Sequence, residues 1–254
     1  MTDGVLASKV AIVTGGGRGL GQGIALALAS AGASVVVTGR TQSVLDETAE
    51  LIAERGAASL AVRCDVTEPA EIEALVAATV ERFGTIDILV NNAQGPHGNG
   101  RLLDVEDTMF EVGFKSGPLA TYRLMRACHP HLTGGGVIVN LGTGAALRAD
   151  PVGYGFYAAV KEATRTLTRV AAVEWAADGI RVHAIVPLAD SDTLQAWAAA
   201  RPAESAAFMA TVPLGRPGDP EADIGRAVVF LCGPDSGYMT GNTVLIDGGQ
   251  GYLR

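Results

Sequence analysis

Short runs rich in β-branched residues alternate along this chain with longer Ala- and Leu-rich stretches, and that alternation narrows the fold more than any other feature. The short runs lie at 9–14, 34–38, 59–64, 86–91, 136–141, 180–186 and 243–248. The stretches between them, among them 21–31, 44–55, 70–83 and 154–177, repeat apolar residues at helical spacing. Strand, helix and strand in series make a βαβ unit, and strands that are apolar on both faces must be covered on both faces. The pattern predicts an α/β fold: a single doubly wound domain over 1–254, with a seven-stranded, mainly parallel sheet and helices on both faces. No repeat, charge block or Pro/Gly/Ser linker divides the chain. Only 188–219 is weakly patterned; it reads as an inserted lid whose Trp197, Phe208 and Met209 either face a substrate or pack.

Charge and cysteine usage bound the partners. Nineteen basic against 27 acidic residues give a formal net charge of −8, which repels a polyanion and argues against nucleic-acid binding. Cys64, Cys128 and Cys232 stand far apart, without pairing or metal-ligand spacing, as expected of buried thiols in a reducing cytoplasm. His97, His129, His131 and His183 show no metal spacing either, so no metal is expected. The first residues lack a basic region followed by an apolar run, and no window reaches about 18 apolar residues, so neither export nor a membrane span is expected.

Between the first strand and the first helical run stands Thr14-Gly15-Gly16-Gly17-Arg18-Gly19-Leu20-Gly21. Glycines here allow a tight turn and bring main-chain N–H groups and the positive helix end up to a pyrophosphate. The position between strand and helix makes the reading specific. The second strand ends in Thr38-Gly39-Arg40, where no carboxylate is available for the 2′-hydroxyl of an NAD ribose. Arg40, with Arg18 opposite, suits a 2′-phosphate, which favours NADP(H).

Tyr157 and Lys161 stand one helical turn apart, so both reach the same cleft. A phenol with a pKa near 10 exchanges protons at neutral pH only if its anion is stabilised, and an ammonium beside it does this. Tyr157 is therefore the candidate acid/base.

These motifs, with Cys64-Asp65-Val66, Asn91-Asn92-Ala93, Pro213-Leu214-Gly215-Arg216 and Tyr238-Met239-Thr240-Gly241 leading to Asp247-Gly248-Gly249, resemble the short-chain dehydrogenase/reductase family in its compact form from end to end. The resemblance implies a Rossmann sheet of strand order 3-2-1-4-5-6-7. It implies hydride transfer between NADP(H) and a small-molecule carbonyl or alcohol. Cofactor contacts would come from Gly15, Gly17, Arg18, Gly19, Leu20, Gly21, Arg40, Asp65 and Val66 at the adenine, Asn92, Ala93, Tyr157, Lys161 at the nicotinamide ribose, and Pro187. Late helices near Glu174 and over 221–231 would form a homo-oligomer, tetramer or dimer.

The chain departs from the family on the chemistry side. The family serine lies thirteen residues before the tyrosine, where Gly144 stands; counted from the strand, Thr143 takes the place instead, with one extra residue in the loop before Tyr157. Thr143 is the choice made here, since its hydroxyl makes the same hydrogen bond. The family asparagine that bends the helix after the fourth strand falls on Gly117, and Gly117-Pro118 offers another way to bend it. Gln94 and Leu188 each replace a family glycine. Two alternatives follow: a cofactor-binding regulator or scaffold with weakened catalysis, or a reductase of C=N or C=C bonds.

Overall fold

In the computed structural model, which describes residues 4–95, 100–147 and 153–251, seven strands form one sheet. They are β1 (Val10–Thr14), β2 (Ser34–Gly39), β3 (Ser59–Arg63), β4 (Ile88–Asn91), β5 (Val137–Leu141), β6 (Arg181–Pro187) and β7 (Thr243–Ile246). Their order is β3-β2-β1-β4-β5-β6-β7, as expected. Every pairing is parallel, so the sheet is more uniform than the "mainly parallel" expectation.

Side chains of a strand alternate between faces, and here both faces are apolar. Ala11 and Val13 join one buried cluster with Ile24 and Leu28 of α1 (Gly19–Ser30), Leu45 of α2 (Gln42–Glu54), and Val228 and Leu231 of α9 (Arg226–Cys232). Ile12 joins the other with Leu75 of α3 (Pro69–Phe83), Leu124 of α5 (Ala120–Leu132) and Ala171 of α6 (Gly155–Glu174). Cys64, Cys128 and Cys232 are free and buried, as the sequence implies.

The crossover from β4 to β5 is broken once. α4 (Asp107–Phe114) runs into a π-helical turn, Lys115–Leu119, before α5 begins. Gly117 has φ −97° and ψ −105°, outside the helical region, and Pro118 has no N–H to give. The bend expected at Gly117-Pro118 therefore takes this form.

The weakly patterned segment holds two short helices, α7 (Asp192–Ala200) and α8 (Pro202–Met209). None of their described side chains is fully buried. Trp197 and Phe208 meet edge to face at 5.7 Å, so these two pack on each other. A bridge between Ala189 and Gly218 closes the base of the segment. His97 and the loop residues 148–152, where the extra residue before Tyr157 was expected, lie outside the described residues. Among the described residues, no helix is long and apolar enough to cross a membrane.

Candidate active site and cofactor cleft

The ends of β1 and β4 diverge into helices on opposite faces of the sheet, which opens a crevice at their carboxyl ends. The turn after β1 is built for close approach. Gly19 has φ +53° with open space where a side chain would stand. A Cβ on Gly21 would run into the main-chain oxygen of Gly15 and lie 2.5 Å from Nδ2 of Asn92. With no side chain in the way, the turn fits a pyrophosphate lying against main-chain N–H groups at the start of α1.

Asn92, expected to line the crevice with Ala93, ties it together. Its Nδ2 donates to the carbonyls of Thr14 (2.9 Å) and Gly15 (3.3 Å). The Thr14 hydroxyl accepts from the N–H groups of Asn92 and Ala93, both at 3.0 Å. A strand-end threonine thus locks the turn after β1 to the turn after β4.

At the outer end of the crevice, Arg18 and Arg40 are both exposed. Asp65 lies near Arg40 and accepts from the N–H of Thr67 at 2.9 Å. Burial raises its pKa, but the bonds from Thr67 and the charges of Arg40 and Lys115 outweigh this, and the carboxyl is held below its usual value. Val66 is buried in the core. Pro187 ends β6 opposite Ile246.

Thr143, Tyr157 and Lys161 come together beyond β5. Tyr157 and Lys161 lie in the first turns of α6, with the Lys161 ammonium 5.8 Å from the centre of the Tyr157 ring. Lys161 is buried, and its Nζ donates to the main-chain oxygen of Leu141 at 2.9 Å. Burial pushes its pKa down to about 8. The Tyr157 phenol is pushed up to about 12, chiefly by burial, against the opposing effect of a hydrogen bond with Thr143. Thr143 itself caps a short 3₁₀ turn, accepting from the N–H of Ala145 at 3.4 Å. Of the two residues considered for the serine place, Thr143 meets the phenol.

One part of this support was not read from the sequence. Asn91 and Asn140, partners in register on β4 and β5, are joined by a 2.8 Å bond, and Asn140 donates on to Thr168 of α6 at 2.9 Å. This buried chain fixes α6 against the strand ends. The signal was present, since polar residues that interrupt apolar strands must find buried partners.

Comparison with known proteins agrees with this geometry. The sequence profile of the family described as "Enoyl-(Acyl carrier protein) reductase" matches residues 15–250. A 12alpha-hydroxysteroid dehydrogenase from Clostridium sp. is 42% identical over 98% of both chains. The solved structure of a 7 alpha-hydroxysteroid dehydrogenase, complexed with NADH and 7-oxo glycochenodeoxycholic acid, superposes with a TM-score of 0.91 at 31% identity, covering 100% of this chain and 98% of that one. A short chain dehydrogenase from Burkholderia cenocepacia in complex with NADP superposes with a TM-score of 0.88 at 31% identity, covering 96% of this chain and 98% of that one. With its parallel sheet in this order and relatives that are named dehydrogenases acting on CH–OH and C=O groups, the chain belongs to the short-chain dehydrogenase/reductase family of nicotinamide-dependent oxidoreductases.

Proposed function

We propose that this protein is an NADP(H)-dependent oxidoreductase interconverting a ketone and a secondary alcohol on a bulky apolar skeleton. The observation that carries the reading is the Thr143 hydroxyl bonded to the Tyr157 phenol beside the buried Lys161 ammonium. When bound, the nicotinamide supplies or takes up the hydride at the carbonyl carbon. Tyr157 gives its phenolic proton to the carbonyl oxygen in reduction and takes it back in oxidation. Thr143 orients that oxygen by a hydrogen bond, and Lys161 stabilises the phenolate while holding the nicotinamide ribose.

Gly15, Gly17, Gly19, Leu20 and Gly21 would hold the pyrophosphate, with Arg18 and Arg40 on the 2′-phosphate. Asp65 and Val66 would take the adenine, and Asn92, Ala93 and Pro187 the walls of the crevice. The arginine pair, with no carboxylate at the end of β2, supports NADP(H) over NAD(H). The hydroxysteroid dehydrogenase relatives support a steroid-like skeleton, with residues 188–219 as the lid over it. Exposed Leu102 and Leu103 offer apolar surface for such a substrate. Exposed Val170 and Val173 on α6 and Phe230 on α9 support a homo-oligomer through those helices.

The test follows NADPH absorbance with keto-steroids, smaller ketones, imines and enones. Turnover of ketones that falls at least about 100-fold in Tyr157→Phe is the expected result. Tight cofactor binding without oxidation by any of these compounds would leave a nucleotide-binding regulator in its place.

A further inference from the structure

Two departures from the family pattern, Gln94 and Gly117, meet in space. A Cβ placed on Gly117 would lie 2.7 Å from Cγ1 of Val160, and 3.0 and 3.3 Å from Oε1 and Nε2 of Gln94. Side-chain carbons are not packed that tightly in folded proteins. Val160 stands closest to the point where a side chain at 117 would begin and the amide of Gln94 borders the same space, so the two together leave room only for glycine there. A second close approach joins the residue after Gln94 to the residue before Gly117. A Cβ on Gly95 would lie 2.5 Å from Oγ of Ser116. Ser116 is buried; its hydroxyl donates to the carbonyl of Val112 at 2.8 Å and receives Nε2 of Gln94 at 3.4 Å.

The contact lies between the segments that lead to the reacting groups. Gln94 follows Ala93 at the end of β4, and Val160 directly precedes Lys161 on α6. Lys115, also on the π-helical turn, has its ammonium paired with Glu68 at 2.9 Å. The titratable groups at the N-cap and in the first turns of α6, around Val160, are Tyr154, Tyr157, Lys161 and Glu162.

We propose that Gln94 is a positioning residue of the acid/base centre: it reaches from the β4 loop to the π-helical turn, holds Ser116 and, with Val160, encloses Gly117, and so seats that turn against α6 at the residue before Lys161. A side-chain amide has both donors and an acceptor, so Nε2 can hold Ser116 while Oε1 stays beside Gly117. The proposal rests on the reading of Tyr157 and Lys161 given above.

Four proteins test it: the parent, Gln94→Gly, Gly117→Asn and the double variant. Each is read for kcat against pH, cofactor KM and apo Tm. Gln94→Gly is expected to lower kcat about tenfold and move the pH of half-maximal kcat, with cofactor KM held within about twofold. Gly117→Asn alone is expected to lower Tm, because its side chain meets both Val160 and Gln94. The double variant is expected to recover part of that Tm, since Gln94 is gone while Val160 remains, and to keep the shifted pH profile of Gln94→Gly. A Gln94→Gly protein with parental kinetics, or a double variant no better than Gly117→Asn, overturns the proposal. Near-parental turnover by Tyr157→Phe would instead overturn the acid/base reading, leaving the Tm coupling between positions 94 and 117 as a separate result.

Discussion

The ammonium of Lys161 donates to the main-chain oxygen of Leu141 at 2.9 Å, so a residue on α6 is fixed to the last residue of β5. This places a cation in a buried position, where desolvation lowers its pKa to about 8. The unfolded chain holds that proton up to about pH 10.4. Between these values the unfolded state binds more protons, so this group's contribution to stability rises with pH from about 8 to about 10.4. Near neutrality the charged group opposes folding of the apo protein. Lys161→Met should therefore abolish turnover yet raise apo Tm at pH 7 by a few degrees, about 1 kcal/mol net after loss of the Leu141 bond. A differential scanning experiment that finds Tm lowered would contradict this balance.

Thr143 offers Tyr157 a hydroxyl from a position where the sequence count left Gly144 open. If the hydroxyl matters and the methyl does not, Thr143→Ser should keep kcat within about threefold, while Thr143→Ala loses about 10- to 100-fold at unchanged cofactor KM. Steady-state kinetics decide it. Equal loss in both variants would mean that the threonine methyl, which both lack, matters rather than the hydroxyl.

Arg18 and Arg40 are both exposed at the mouth of the crevice. Charge-assisted pairing with a 2′-phosphate is directional and strong, so Arg40→Asp should weaken NADPH binding about 10- to 100-fold and leave NADH within about threefold. Fluorescence titration with both cofactors measures it. Equal affinity of the parent for the two would remove the NADP(H) preference.

How far the sequence could be read depended on the range of the interaction concerned. The seven strands and their layers follow from local periodicity, because β1 and its neighbours are apolar on both faces except near their ends and must be covered on both. The meeting of Tyr157 with Lys161 follows from helical spacing alone. The contacts between segments did not show. Asn92 looks like a residue facing a ligand, and nothing in the chain shows that its Nδ2 also donates to the carbonyls of Thr14 and Gly15. Gln94 and Gly117 appear in the chain as two unrelated departures, and only the fold, which brings the β4 loop against the π-helical turn, makes them one.

The last prediction concerns β6. His183 is fully buried, and its Nε2 lies 3.3 Å from Nη1 of Arg181. That guanidinium also donates to the carbonyls of Leu231, Gly233 and Ser236, binding β6 to the end of α9. A cation donating to the imidazole requires it neutral. Burial first, and the charge of Arg181 second, push the His183 pKa down to about 4. In the unfolded chain it titrates near its ordinary value of 6.5. Between pH 6.5 and 4 the unfolded state takes up the proton and the folded state does not, so this group's contribution falls as the solution is acidified. Roughly 2 kcal/mol of stability should be lost from this residue between pH 7 and 5. His183→Gln keeps an acceptor for Arg181 but does not titrate, so its urea-unfolding free energy should fall less over the same interval. Parallel pH dependences for the variant and the parent would show that acid sensitivity arises elsewhere in the chain.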